Sequence, residues 1–495
     1  MAIPKVCGIE TEFGIHTSGG DGNPVTASSL LVNAYAASVQ RQTGWDFEDE
    51  TPANDARGFS REGAMPPMVE THLANTVLTN GARFYVDHAH PEYSTPECAD
   101  PLELVRYDKA GEETLRRAMA AAEAAFPEAP RIVTYKNNSD GKGNSYGCHE
   151  NYLMDRAVPF ARIAAGIVPH LVTRQIYTGA GKVGSETAGM GTGIHFQISQ
   201  RAEFFEEVVG LETTLKRPIV NTRDEPHADP KRFRRLHVIV GDANLAEVAT
   251  LLKVGSTALL LAMIEDEMLP SRDLSLSDPV REMHGVSTDL SLRRPLQAAD
   301  GSTITALEVQ WEIFGAARRY VKERGFEVVG GQTVGELVLD RWEAVLTALE
   351  SAPESLASQL DWVAKRQLIE HYRERHGCGW EDHRLAALDL QYHDLRPERS
   401  LFARLGMERL VDPAEVAAAV VEPPTRTRAW FRGQCLTRWP EWIATANWDS
   451  LVFDLGTDPL RRVPMMDPLK GTADHTAALL EACNNPAELV DRLSS

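Results

Sequence analysis

Alternating polar and apolar positions predict a sheet with one polar floor. Read as a strand, Arg83-Phe-Tyr-Val-Asp87 puts Arg83, Tyr85 and Asp87 on one face and Phe84 and Val86 on the other. His88, His90 and Glu92 then read as part of the loop that leaves this strand. Cys7-Gly-Ile-Glu-Thr-Glu-Phe-Gly14 reads as a short strand whose Glu10 and Glu12, two apart, point to the same side. Tyr135 to Tyr152 reads as strand, Gly-rich turn and strand, with His149 and Asn151 on one side. His195, Gln197, Ser199 and Arg201 alternate with Phe196 and Ile198, which predicts a further polar-floored strand. Leu236, Val238 and Val240 likewise leave His237 on a polar face.

Helical periodicity fills much of the remainder. It predicts helices over about 28–42, 112–126 and 243–268, the last apolar enough to lie in the core, and a largely helical stretch over about 333–402. Residues 41–79 are acidic and rich in turn formers, and read as a long loop inserted before the Asp87 strand, either functional or a tolerated insertion. Glu422-Pro-Pro-Thr-Arg-Thr-Arg428 reads as a linker. The expectation is an α+β protein with a large domain over 1–424 and a small C-terminal domain over 425–495.

Composition narrows the classes. The chain has 495 residues, 43% hydrophobic and 25% charged, which suits a globular protein with a sizeable core. Fifty-one basic against 71 acidic residues give a net charge of −20 and argue against nucleic-acid binding. Only Lys231-Arg-Phe-Arg-Arg235 is densely basic, and with Lys216 and Arg217 it reads either as a solvated turn or as a dock for an acidic partner. Six cysteines without a CxxC pair fit reduced, buried thiols. With no signal pattern at the N-terminus and no evident apolar run of spanning length, a cytoplasmic protein without a membrane segment is expected.

Gly143-Asn-Ser-Tyr-Gly147 has the form of a serine-hydrolase elbow, but the residues after Gly147 read as a strand where that motif needs a helix. Gly181-Lys182 lacks the rest of a P-loop, and Gly189 to Gly193 lacks dinucleotide spacing. The Glu10/Glu12 pair is more promising. Two carboxylates about 7 Å apart repel unless a cation joins them, and hard oxygen ligands suit Mg²⁺ beside nucleotide phosphates.

Gly-Ile-Glu-Thr-Glu-Phe-Gly (8–14), Asn-Gly-Ala-Arg (80–83), Asp-His-Ala-His-Pro-Glu-Tyr-Ser (87–94), Lys-Asn-Asn (136–138), Ser-Tyr-Gly-Cys-His-Glu-Asn-Tyr (145–152) and Asn-Thr-Arg-Asp-Glu-Pro-His-Ala-Asp (221–229) together resemble the Pup ligase/deamidase family. That family is related to glutamine synthetase-type carboxylate–amine ligases. The resemblance implies a glutamine synthetase-like curved antiparallel sheet, flanked by helices and cradling ATP and Mg²⁺, with a small C-terminal domain. Thr79 before Asn80, the 209–216 segment and the 41–79 insertion match the deamidase branch, whereas the spacing of 184–192 does not match clearly. The branch deamidates the C-terminal glutamine of Pup, a small acidic disordered protein, and cleaves Pup from substrate lysines. The alternative is the Pup–protein ligase branch. Carried over by position, the resemblance implies Glu10, Tyr85 and Glu92 as Mg²⁺ ligands, with Glu12, His149 and His237 as further ones. It implies Arg83, Thr95, Arg201, Arg223 and Trp448 as nucleotide contacts and Asp87 as the reactive carboxylate. A monomer acting on Pup and pupylated proteins is expected, with Asp87 either attacking the carbonyl or orienting the group that does.

Overall fold

The computed structural model describes residues 1–19, 22–39, 43–47, 50–58, 74–186 and 193–494. Its centre is a six-stranded antiparallel sheet in the order Phe233–Val238, Cys148–Asp155, Cys7–Glu12, His90–Ser94, Arg83–Asp87 and Asn75–Val77. Cys7–Glu12 and Arg83–Asp87 alternate buried and half-buried positions as expected, so their apolar residues share one face. Helices Pro24–Ser38, Pro101–Ala125, Phe160–Thr173 and Glu247–Glu265 belong to the cores that cover it. Tyr35 meets Phe84 edge to face at 5.8 Å, and Tyr93 lies so close to Gly111 that a Cβ there would collide with its ring. The Glu247–Glu265 helix is long and apolar enough to cross a membrane by composition, but it is wholly enclosed as the central core helix.

Several boundaries differ from the periodicity. The loop after Asp87 is only His88 and Ala89, because His90–Ser94 turns straight back as the neighbouring strand. The helix expected from 112 starts at Pro101, where Asp100 caps the Glu103 amide at 2.7 Å and proline occupies the first turn. The expected strand over 195–201 shrinks to Phe196–Gln197. There the Ser199 hydroxyl accepts the amides of Arg201 and Ala202, both at 3.0 Å, and this local bonding replaces an extended ladder.

The C-terminal segment carries the helix Ala429–Arg438 and a sheet formed by Ile443–Ala446, Ser450–Phe453 and Arg461–Pro464. Gly44–Trp45, from the segment expected as a loop, pairs parallel with Ile443–Ala446 and completes that sheet. Farther on, the Ala56 amide bonds Thr222 at 2.8 Å and the Asp224 amide bonds Asn54 at 2.9 Å. The described part of the insertion is therefore strapped down at two points, and 59–73 lies outside the described residues. The 422–428 stretch is not a free linker. Tyr107 bonds the Glu422 carbonyl at 2.8 Å, and buried Arg428 reaches Glu97 at 2.7 Å.

Candidate active site

Strand register gathers the polar floor. Glu10 pairs with His149 on one side and Ser94 on the other, and Ser94 pairs with Arg83. One step along, Glu12 pairs with Glu92 and Glu92 with Tyr85. His237 pairs with Asn151 on the outer strand. Residues directly opposite in a ladder share a face, so groups scattered over more than 200 positions stand in adjacent rows. They line a cavity that includes Glu10, Arg83, Tyr85, Asp87, Glu92 and His149.

Two donor triads result. Ligand atoms of Glu10, His149 and His237 lie within 4.8 Å of one another, as do those of Glu12, Asp87 and Glu92. Like charges facing each other across a ladder repel, and the electrostatics record it. Glu92 is pushed well above the ordinary carboxylate range by burial and then by Asp87, Glu12 and Glu10. Glu10 also feels burial, but His149 and Arg235, each 3.6 Å away, pull it well below its usual value. Burial and Glu92 raise Tyr85 far above the phenol range, so it stays protonated beside Glu92. Gly147 makes room for the pair behind: a Cβ there would lie 2.8 Å from Glu12 Oε1.

Asn151 organises the first triad. Its Nδ2 donates to Glu10 Oε1 at 2.8 Å, which leaves Oδ1 as the acceptor for Arg235 at 2.8 Å and for His237 Nδ1 at 2.9 Å. His237 Nδ1 thus stands between Asn151 Oδ1 at 2.9 Å and the Arg235 guanidinium at 3.3 Å. Burial and Arg235 hold that ring well below the usual histidine range, so it stays neutral. The donors fit a divalent cation, the all-carboxylate triad suiting a hard ion such as Mg²⁺.

Of the other residues expected here, Arg83 lies 4.0 Å from the Trp45 ring and 3.8 Å from that of Tyr85. Arg223 lines the same cavity, and its buried Nε finds no hydrogen-bond partner among the described residues. Trp448 borders this cavity and an adjoining pocket lined by Gly8, Thr95 and Arg428. Thr95 is buried, with Oγ1 accepting the Ile9 amide at 3.0 Å. Arg201 does not line either pocket. Its buried guanidinium serves the carbonyls of Ile239 and Gly241 and the Ser145 hydroxyl, and burial with Arg217 lowers it to about 10.

The basic cluster at 231–235, expected as a solvated turn or a dock, is divided where the strand Phe233–Val238 begins. Lys231 and Arg232 are exposed, with Arg232 paired to Asp467 at 2.9 Å; Arg234 is buried beside Asp224, and Arg235 turns into the cavity. Arg217 is spent on the Thr213 and Ser145 carbonyls. Periodicity missed Arg235 as a site residue although it sits two before His237 on the same face. His227, which borders both pockets with φ 45°, lies inside the 221–229 motif but is not singled out there as a site residue.

The Pup-ligase protein family model matches residues 5–452. The chain belongs to the Pup-ligase family. It is similar to a depupylase of Acidothermus cellulolyticus, 53% identical over 99% of both chains. It is also similar to the Pup deamidase/depupylase of Mycolicibacterium smegmatis, 48% identical over the whole of both. Among solved structures, the family's ligase PafA in complex with Pup matches with a TM-score of 0.81 at 32% identity, covering 99% of this chain and 92% of that one. PafA in complex with ADP matches with a TM-score of 0.74 at 37% identity, over 82% and 89% respectively. The curved sheet with its helical cover is thus the family fold.

Proposed function

We propose that this chain is a Pup deamidase and depupylase that works with a bound nucleotide and Mg²⁺. It hydrolyses the C-terminal glutamine amide of Pup and the isopeptide bond between Pup and a substrate lysine. Its higher identity to depupylases than to the ligase structures favours hydrolysis over ligation. The observation that carries the reading is the placement of Asp87 at the mouth of the acidic floor, its side chain 40% exposed, with Glu12 and Glu92 behind it.

Glu10, His149 and His237, with Glu12 and Glu92, would hold the cation, and Tyr85 flanks Glu92. The Mg²⁺ would supply charge to neutralise phosphate and developing oxyanion. Arg83 and Arg223 face the same cavity and bind phosphate oxygens, as guanidinium groups do bidentately. Trp448 and Thr95 border the adjoining pocket, which would take the nucleoside of the nucleotide. Asp87 meets the scissile carbonyl, as nucleophile or as the base that orients the attacking oxygen. The C–N bond breaks, water supplies the new hydroxyl, and the departing ammonia or lysine amine takes a proton. Like the relative crystallised with Pup, the chain takes Pup as its partner, and we place it in the cytoplasm as a monomer.

The test is incubation with glutamine-ended Pup and with a pupylated protein, with and without ATP, followed by mass spectrometry. Nucleotide-dependent conversion of glutamine to glutamate and release of Pup are expected. Faster conjugation of glutamate-ended Pup to a lysine substrate than release from a conjugate would identify a ligase instead.

A further inference from the structure

The two-residue turn between the central strands carries an oddity. Asp87 pairs with His90, so His88 and Ala89 alone reverse the chain. His88 has φ 52°, in the left-handed region. Two-residue hairpin loops that need positive φ favour Gly, Asn or Asp; a histidine is tolerated there but less readily than glycine. Such strain persists where the surroundings over-determine it and gathers at functional sites. Here the surroundings include the Ser28 hydroxyl, which holds the Ala89 carbonyl at 2.9 Å and ties the turn to the first helix. They also include Asp87 itself, whose Oδ2 lies 3.1 Å from His88 Nδ1.

We propose that His88 is the positioning residue of Asp87, its ring N–H holding one carboxylate oxygen so that the other is presented to the scissile carbonyl. Although 69% exposed, the ring borders the cavity and acts through the aspartate, without needing to touch Pup. The inference rests on the assignment of Asp87 as the reactive carboxylate.

Three substitutions separate positioning from mere turn geometry. His88→Gly removes the imidazole together with the left-handed penalty. It is expected to melt no lower than the native chain, while kcat on a Pup conjugate falls about 10- to 100-fold, as for other orienting partners, and KM holds. His88→Asn, which tolerates the same φ and offers an amide N–H, restores most of kcat. His88→Ala keeps the strain without the donor, and should lose both kcat and melting temperature. A native kcat in His88→Gly, or a loss carried by KM and not repaired by Asn, overturns the proposal. The contact is also read without turnover, by ¹⁵N NMR of the His88 ring. Its Nδ1 signal should move in Asp87→Ala, and an unmoved signal refutes the contact. Failure of the native chain to release Pup would sink the function itself while leaving this readout standing.

Discussion

The two faces of the central sheet treat charge in opposite ways. On the covered side buried charges are matched. Arg174 donates to Glu150 at 2.8 Å, Lys5 reaches Glu265 at 2.5 Å, and Lys136 bonds Asp108 at 2.6 Å and Glu112 at 3.0 Å. On the open side, Glu12, Asp87 and Glu92 crowd together, and Glu92 carries the cost as a strongly raised pKa. A buried ion pair needs its partner to remain stable, whereas an acidic group left short of cations is a place for one to bind. One face is thus built to persist and the other to act.

Four substitutions break or sharpen that contrast. The largest effect belongs to Asp87→Asn on the open face: release of Pup should fall by roughly 10³-fold or more, with nucleotide affinity retained and melting temperature no lower. Near-native cleavage would remove Asp87 from the chemistry. On the covered face, Arg174→Met leaves Glu150 without its ion-pair partner and should destabilise the fold by about 3–5 kcal/mol. Denaturant unfolding reads this, and Glu150→Gln added to it should recover part of the loss.

The third concerns Glu97, which joins the sheet to the C-terminal segment through Arg428 and Arg432. Burial alone would raise it, but the two guanidiniums bring it from its usual 4.5 to about 2. A depressed carboxylate stabilises the fold above its unfolded pKa, and that contribution, about 3 kcal/mol, is lost as pH falls from near 4.5 through about 2. Glu97→Gln should lose this acid-labile share at neutral pH and unfold with a flatter pH dependence between those limits; an unchanged profile would dissociate the clamp from stability. The smallest effect is that of Glu92→Gln, which takes an acidic group out of the crowded floor and should leave the metal-free chain no less stable. The same change should abolish much of the rise in melting temperature on adding Mg²⁺, and an undiminished rise would exclude Glu92 as a ligand.

Much of this was legible from residues alone because strand alternation is local. Arg83, Tyr85 and Asp87 had to share a face, as did Glu10 and Glu12, whatever the fold. The same rule separates buried Arg234 from Arg235, which faces the cavity, within what composition presents as a single basic patch. It failed at 195–201, where a serine hydroxyl captured backbone amides and ended the ladder. Nor does composition reveal that Trp45, inside an acidic turn-rich stretch, pairs with the C-terminal sheet and stacks on Arg83.

The amino-acid order by itself determined which side chains face together within each strand and which helices present apolar faces, since both follow from backbone periods of 2 and 3.6 residues. Register between strands was decided only in three dimensions. Glu10 meets His149 across a gap of 139 positions because the packed sheet, with its two-residue turn at His88 and its helical cover, selects one alignment among many of similar local energy.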